Sequence, residues 1–339
     1  MQIRENVSLA PMTTMKIGGP ARYFCEAVSL AEIEEAVAFA AQHELPIFIL
    51  GGGSNILVSD DGYPGMVLHV AMNDVTSREE DEELFLTVGA GYRWDDLVAL
   101  AVSRGVWGIE NLSAIPGTVG GATVQNIGAY GCEVGDVITL VEVYDPTTSR
   151  VQTLNNAECR FSYRDSVWKH EGKGLIVLRV TFRLRRKATP NIAYKDVAAF
   201  FAQEGIITPT LGDICTAIIA IRSAKFPDLT THGTAGSYFK NPVVSARDAE
   251  EFLSRFPDAP HYPLHNGSVK LSAAWIIDHV LHMRGVRAGH VGCWDAQALV
   301  VVNYGDASAD EVRNFARDIQ ERSLLLAHIA LETEVINVA

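Results

Sequence analysis

A Gly51-Gly52-Gly53-Ser54-Asn55 turn lies between two apolar, strand-like runs, residues 46–50 and 56–58, and constrains the fold more than any other stretch. A strand, not a helix, follows the glycines, and no Gly-Lys-Ser/Thr follows them, which disfavours a P-loop NTPase and a standard Rossmann domain. Taken alone, the turn reads first as a tight hairpin connection. Its consecutive peptides without side chains are also what a pyrophosphate needs to approach a backbone. A second close-approach surface spans residues 115–131, where Ile115-Pro116-Gly117-Thr118-Val119-Gly120-Gly121 is followed by Gln125-Asn126-Ile127-Gly128-Ala129-Tyr130-Gly131. Two such stretches in one chain favour a long, flat, phosphate-bearing ligand.

Charge says how such a ligand is met. Asp and Glu number 41 against 28 Lys and Arg, a net charge of -13, so no global field draws nucleic acid or an anionic membrane surface. Phosphates must be met locally, by backbone or by basic side chains such as Arg222, Lys225, Lys240 and Lys270, which read equally as solvated surface. The five cysteines show no CxxC pair and read as reduced core thiols. His261 with His265, His279 with His282, and His290 with Cys293 lack HExxH or paired CxxC spacing, so no metal site is expected. A GxSxG elbow is absent, which weakens a hydrolase reading. The start of the chain lacks a charged segment leading into an apolar one, and no apolar run approaches the roughly 18 residues of a membrane span. A cytoplasmic monomer with neither nucleic-acid nor membrane partner is expected.

With 339 residues, 48% of them hydrophobic, the chain can pack more than one domain. A strand is expected at 23–28, then a helix capped by Ser29 with Glu32, whose Leu30, Ile33, Val37 and Ala41 share a face. The acids at 79–83 read as a solvated turn, and 94–104 as a helix stopped by Gly105. Strand-like runs follow at 137–144 and, most clearly, at 175–185, where Ile176, Leu178, Val180, Phe182 and Leu184 alternate with polar residues. A helix at 210–225 leads into Phe226-Pro227-Asp228, a plausible boundary; further helices are expected at 246–256, at 271–284 before Gly285, and from Ser308, capped with Glu311. A short strand at 331–337 ends the series. The order suggests an α+β protein of several domains.

Six segments, in order, resemble one enzyme family: Gly51-Gly52-Gly53-Ser54-Asn55; Glu110-Asn111-Leu112 running into 115–121; 125–131; Cys159-Arg160-Phe161-Ser162-Tyr163-Arg164-Asp165-Ser166; Ala235-Gly236-Ser237-Tyr238-Phe239-Lys240-Asn241-Pro242; and Leu331-Glu332-Thr333-Glu334-Val335. The family is UDP-N-acetylenolpyruvoylglucosamine reductase (UDP-N-acetylmuramate dehydrogenase), and Tyr194 within 192–196 resembles the tyrosine loop of its type I branch. The resemblance implies a two-subdomain FAD-binding fold of the vanillyl-alcohol-oxidase (PCMH) type plus a C-terminal α+β substrate-binding domain. Residues 1–72 and 73–226 would form the FAD subdomains, 227–327 the substrate domain, and the strand 328–339 would return to the second subdomain.

It also implies noncovalent FAD, with NADPH and UDP-N-acetylglucosamine enolpyruvate as substrates. Gly51, Gly52, Gly53, Ser54 and Asn55 would hold the pyrophosphate; Ile115, Gly117, Gly120, Gly121, Val124, Asn126 and Gly128 would line the rest of the cofactor. Arg164 would meet the enolate, Ser237 would give it a proton, and Glu334 would help hold charge. Tyr163, Tyr194, Lys225, Asn241 and Gln297 would contact substrate. Gly120-Gly121-Ala122 departs from serine-containing versions of the loop, a difference expected to bear on flavin affinity. Two rivals are a non-catalytic flavin or nucleotide module and a flavin oxidase of the same fold that uses oxygen.

Overall fold

The computed structural model describes residues 1–339. The chain divides into two compact units. One comprises Met1–Val7, Ala21–Gly53 and Pro64–Ser223, the other Ser8–Pro20, Ser54–Tyr63 and Ala224–Ala339. This differs from the expected division at 72 and 226, because residues 8–20 and 54–63 belong with the C-terminal part.

In the first unit a four-stranded sheet runs in the order Ile3–Ser8, Pro20–Ala27, Tyr63–Val70, Ile47–Leu50. Ile47–Leu50 pairs parallel with Tyr63–Val70, from Ile47 opposite Met66 to Leu50 opposite His69. The helix Leu30–Gln42 begins where expected: the Ser29 side chain accepts from the Glu32 N–H and Glu32 Oε2 from the Val28 N–H, a cap contributing roughly 1 kcal/mol. A second, antiparallel sheet is ordered Arg150–Asn155, Ile138–Asp145, Ile176–Arg185, Glu83–Gly89, Val75–Glu80. Its middle strand has the expected alternation, with Ile176, Leu178, Val180, Phe182 and Leu184 fully buried and Arg183 and Arg185 exposed. Each such side chain removed from water contributes about 1.5–3 kcal/mol. The acids at 79–83 span a hairpin, with Asp81 and Glu82 between two strands.

Three α-helices were not anticipated, the shortest being Asn156–Cys159. Val119–Gln125 forms inside the second glycine stretch despite Gly120 and Gly121, because Thr118 caps it and the Gly120 N–H donates to the Ala90 carbonyl at 2.8 Å. Lys195–Glu204 follows Tyr194 and packs Val197 and Phe201 with Tyr130, Ile214, Ala217 and Ile218.

The second unit holds an antiparallel sheet ordered Gly233–Ser237, Val300–Asn303, Val291–Cys293, Arg287–Ala288, together with the helix Ala309–Arg322. Ser308 and Glu311 make the expected capping box, and the Ala309 N–H also donates to Asp60 Oδ2 at 2.8 Å. The helix expected at 271–284 is shorter: Ala273–Trp275 passes into a π-helical turn, Ile276–Val280. The final strand corrects an expectation. Ile336–Val338 pairs in parallel with Ile56–Val58, not with the 73–226 segment, since the buried, wholly apolar Ile56–Val58 needs a ladder partner. No helix is long and apolar enough to cross a membrane.

Candidate active site

In the first unit the two glycine segments meet backbone to backbone. A β-carbon on Gly52 would stand 2.6 Å from Gly117 Cα, and one on Gly51 would stand 2.8 Å from Thr118 Oγ1. Gly53 takes φ +61° and Gly117 φ +129°, left-handed conformations that favour glycine. Gly120 is tight for another reason: its β-carbon would lie 3.0 Å from that of Ala90. The glycines therefore serve the packing of the segments as well as any ligand. Two bare backbones thus lie side by side, and Thr118 caps the helix start that follows, its side chain accepting from the Gly121 N–H.

Beyond the helix the segment is fixed by Asn126, which is fully buried at φ +41°. Its Nδ2 donates to Glu133 Oε2 (2.8 Å) and the Ser162 carbonyl (2.7 Å), and its Oδ1 accepts from the Gly135 N–H (2.9 Å). The side chain is thus committed to the protein, and its N–H closes the helix end on Thr123. The Val124 carbonyl accepts from Ser166 Oγ at 2.6 Å, and Ile115 packs against the core.

These bonds draw the Tyr163-Arg164 loop onto the glycine segment. Ser162 and Asp165 exchange both backbone hydrogen bonds, so Tyr163 and Arg164 are the central residues of a tight turn, with Arg164 at φ +54°. Arg164 Nη2 donates to the Gly128 carbonyl at 2.8 Å, and a β-carbon on Gly128 would sit 3.2 Å from Arg164 Nη1. The guanidinium also lies 5.6 Å from the Tyr163 ring centroid. A cation that is always charged is thereby held against the second glycine segment.

Tyr194 is 44% exposed, and its ring meets the buried Tyr130 edge-on at 5.3 Å. Asn111 ties this region together by donating to the Tyr130 carbonyl (3.1 Å) and the Asn191 carbonyl (2.8 Å). Arg222 Nε donates to the Ala114 carbonyl at 3.1 Å, and Arg222 bonds the Tyr130 side chain. Burial holds the Arg222 guanidinium below its ordinary pKa, against the raising effect of Tyr130. Asn111 and Tyr130 stand within the 110–112 and 125–131 motifs, yet nothing local to the sequence shows that they meet, and Asn191 carries no signal there.

In the second unit Ser237, Glu334 and Asn55 come together. Ser237 ends the strand Gly233–Ser237 opposite Val300, after a bulge at Gly236 with φ +78°. The Tyr238 carbonyl accepts from the Glu334 N–H (2.8 Å), and Phe239 bridges Thr333. Asn55 Nδ2 donates to the Glu334 carbonyl at 3.1 Å, while the Asn55 carbonyl accepts from the Ile336 N–H at 3.0 Å. Ser54 precedes Asn55 in this unit. Gln297 lies in the turn before Val300, whose N–H donates to its carbonyl. Asn241 Oδ1 accepts from the Ala273 N–H, capping a helix start, and Lys225 is the last residue of Leu211–Lys225. Burial pushes the Tyr238 phenol up to about 12, so it stays neutral behind Ser237.

Comparison with known proteins accords with both halves. Residues 21–154 match the FAD binding domain family, and 228–338 match the UDP-N-acetylenolpyruvoylglucosamine reductase C-terminal domain. The α+β FAD-binding fold with a C-terminal domain, expected from the sequence, is the fold found. UDP-N-acetylenolpyruvoylglucosamine reductase of Chromobacterium violaceum is 42% identical, with 98% of each chain covered; that of Neisseria meningitidis serogroup A is 42% identical over 94% of this chain and 92% of its own. The crystal structure of the enzyme from Thermus caldophilus superposes with a TM-score of 0.70 at 27% identity, covering 100% of both chains. The chain belongs to the UDP-N-acetylenolpyruvoylglucosamine reductase family.

Proposed function

We propose that this FAD-dependent oxidoreductase reduces the enolpyruvyl ether of UDP-N-acetylglucosamine to the lactyl ether of UDP-N-acetylmuramate, with NADPH as reductant. FAD, when bound, supplies the hydride relay between NADPH and the enolpyruvyl methylene carbon. The glycine segments at 51–53 and 117–118 give its pyrophosphate a close backbone approach, with Ser54 and Asn55 extending the turn, while the Val119, Gly120 and Gly121 N–H groups are given to Tyr92, Ala90 and Thr118 and fix the second segment in place.

Arg164 and Ser237 do the remaining chemistry. Addition of hydride to the methylene carbon pushes an electron pair onto the substrate carboxylate as an enolate, and the Arg164 guanidinium, a planar fork of fixed charge, stabilises it. The enolate then takes a proton at the neighbouring carbon from Ser237 Oγ. A hydroxyl serves as acid here because the acceptor is strongly basic; the alkoxide left on Ser237 regains its proton from water, and Glu334 is the carboxyl through which that proton passes. Tyr163, Tyr194, Lys225, Asn241 and Gln297 position the sugar nucleotide.

The observation that carries this reading is the Arg164 turn, in which a left-handed arginine is held against Gly128 of the glycine segment. The test is direct. Purified protein should be yellow, and NADPH consumption should begin only when the enolpyruvyl sugar nucleotide is added. NADPH consumption sustained by oxygen without that substrate would instead favour the oxidase, and colourless protein without turnover would sink both.

A further inference from the structure

Arg164 is held at both ends, and only one of the two holds belongs to the chemistry described so far. Its guanidinium is placed by the Gly128 carbonyl. Its backbone sits in a left-handed conformation that a non-glycine residue keeps only where neighbours impose it. The tight Ser162–Asp165 turn imposes part of it. The rest falls to Lys169, whose Nζ donates to the Arg164 carbonyl at 2.5 Å and to Gln125 Oε1 at 2.7 Å. Gln125 is the last residue of the helix Val119–Gln125, so one ammonium joins the arginine's own peptide to the end of the cofactor-side helix. Lys169 is partly buried, its charge acts on Asp165 beside Arg164, and the Arg164 carbonyl and Gln125 Oε1 are both neutral oxygens. A charge-assisted bond to a carbonyl is among the stronger ones available to fix a peptide plane.

We propose that Lys169 is the positioning residue for Arg164: by fixing the Arg164–Asp165 peptide it sets the direction of the guanidinium, and it acts on the reaction only through that residue. The inference rests on the enolate-stabilising role proposed for Arg164.

The test uses the full FAD-loaded chain and stopped-flow absorbance of the flavin, following reduction by NADPH and reoxidation by UDP-N-acetylglucosamine enolpyruvate separately. Lys169→Met should retain its flavin and its reduction rate while reoxidation slows about 10- to 100-fold, as expected when a catalytic group is misplaced by a fraction of an ångström. Lys169→Arg, which keeps a charged donor, should recover most of that loss. In an Arg164→Ala background Lys169→Met should slow reoxidation by no more than about twofold further, since residues acting as one unit are non-additive. A full additional loss in that background, or an unchanged reoxidation rate in Lys169→Met alone, overturns the proposal while leaving the role of Arg164 intact. An unchanged rate in Arg164→Ala overturns both. Should Lys169→Met fail to fold or hold flavin, Lys169→Gln, a neutral donor on a shorter stem, carries the same comparison.

Discussion

The Glu334 N–H donates to the Tyr238 carbonyl at 2.8 Å, which fixes Glu334 across from the residue that follows Ser237. The main chain makes this link, and Asn55 reinforces it from the Glu334 carbonyl. These bonds are made by the main chain of Glu334, and a change of its side chain leaves them in place.

Glu334→Gln should accordingly fold, melt within about 2 °C of the parent and retain flavin, because an exchange that leaves buried apolar contacts and backbone bonds in place is usually near-neutral. Reoxidation by the enolpyruvyl substrate should slow by about 10- to 100-fold, because an amide cannot relay the proton that a carboxyl returns to Ser237. Stopped-flow and a thermal melt on the same sample decide it, and an unchanged reoxidation rate would remove Glu334 from the chemistry.

Gly52→Ala is predicted to fail for a packing reason. Its β-carbon would meet Gly117 Cα at 2.6 Å and Gly117 C at 3.0 Å, backbone atoms that cannot rotate aside. Overpacking of this kind costs roughly 1–3 kcal/mol, and the displaced glycine segments should bind flavin poorly. Gly205→Ala is the control: φ is +69° but nothing lies within 4 Å of the new carbon. It should cost about 1 kcal/mol through strain alone and leave flavin content unchanged. Urea midpoints and flavin absorbance per chain separate the two, and normal flavin content in Gly52→Ala would show that the two segments can part without consequence to the cofactor.

Much of this architecture was legible because it is local. Ser29 with Glu32 and Ser308 with Glu311 are capping pairs written within four residues, and the period-two pattern of 176–185 needs no tertiary context. The helix Val119–Gln125 was hidden because Gly120 and Gly121 argue against a helix, and what overrides them is a bond to Ala90 on a distant segment. The partner of Ile336–Val338 was misassigned for the same reason: pairing with Ile56–Val58 joins residues far apart in the chain, and apolar runs do not say which of several strands they will meet. Lys169, Asn111 and Asn191 act through backbone carbonyls, an acceptor that every residue carries, so their identities alone gave no signal.

Flavin is predicted to be released entirely by acid. Neither glycine segment contains a histidine, and the nearest thiol, Cys132, is held unreactive: burial pushes it up to about 11, against a lowering bond from Asn191. At neutral pH it is a thiol, and the thiolate is the nucleophile. Acid precipitation should leave a white pellet and a yellow supernatant; colour in the pellet after washing would show a covalent bond.

Ser237→Ala separates the two halves of the reaction, because the hydroxyl is asked to act only after hydride has reached the substrate. Ser237 is half-buried, and its backbone stays paired with Val300 whatever its side chain, so the strand should survive the loss of Oγ. Flavin reduction by NADPH should then proceed near its parent rate. Reoxidation by the enolpyruvyl substrate should slow by about 10² to 10⁴, the usual worth of a positioned general acid, or roughly 3 to 5 kcal/mol of barrier. Arg164→Ala should also slow reoxidation, but with weaker substrate binding wherever the guanidinium already holds the ground-state carboxylate, so the two variants differ in the substrate concentration that gives half the maximal rate. Slow reduction by NADPH with normal reoxidation in Ser237→Ala would assign this serine to the nicotinamide and take the proton donor's role from it.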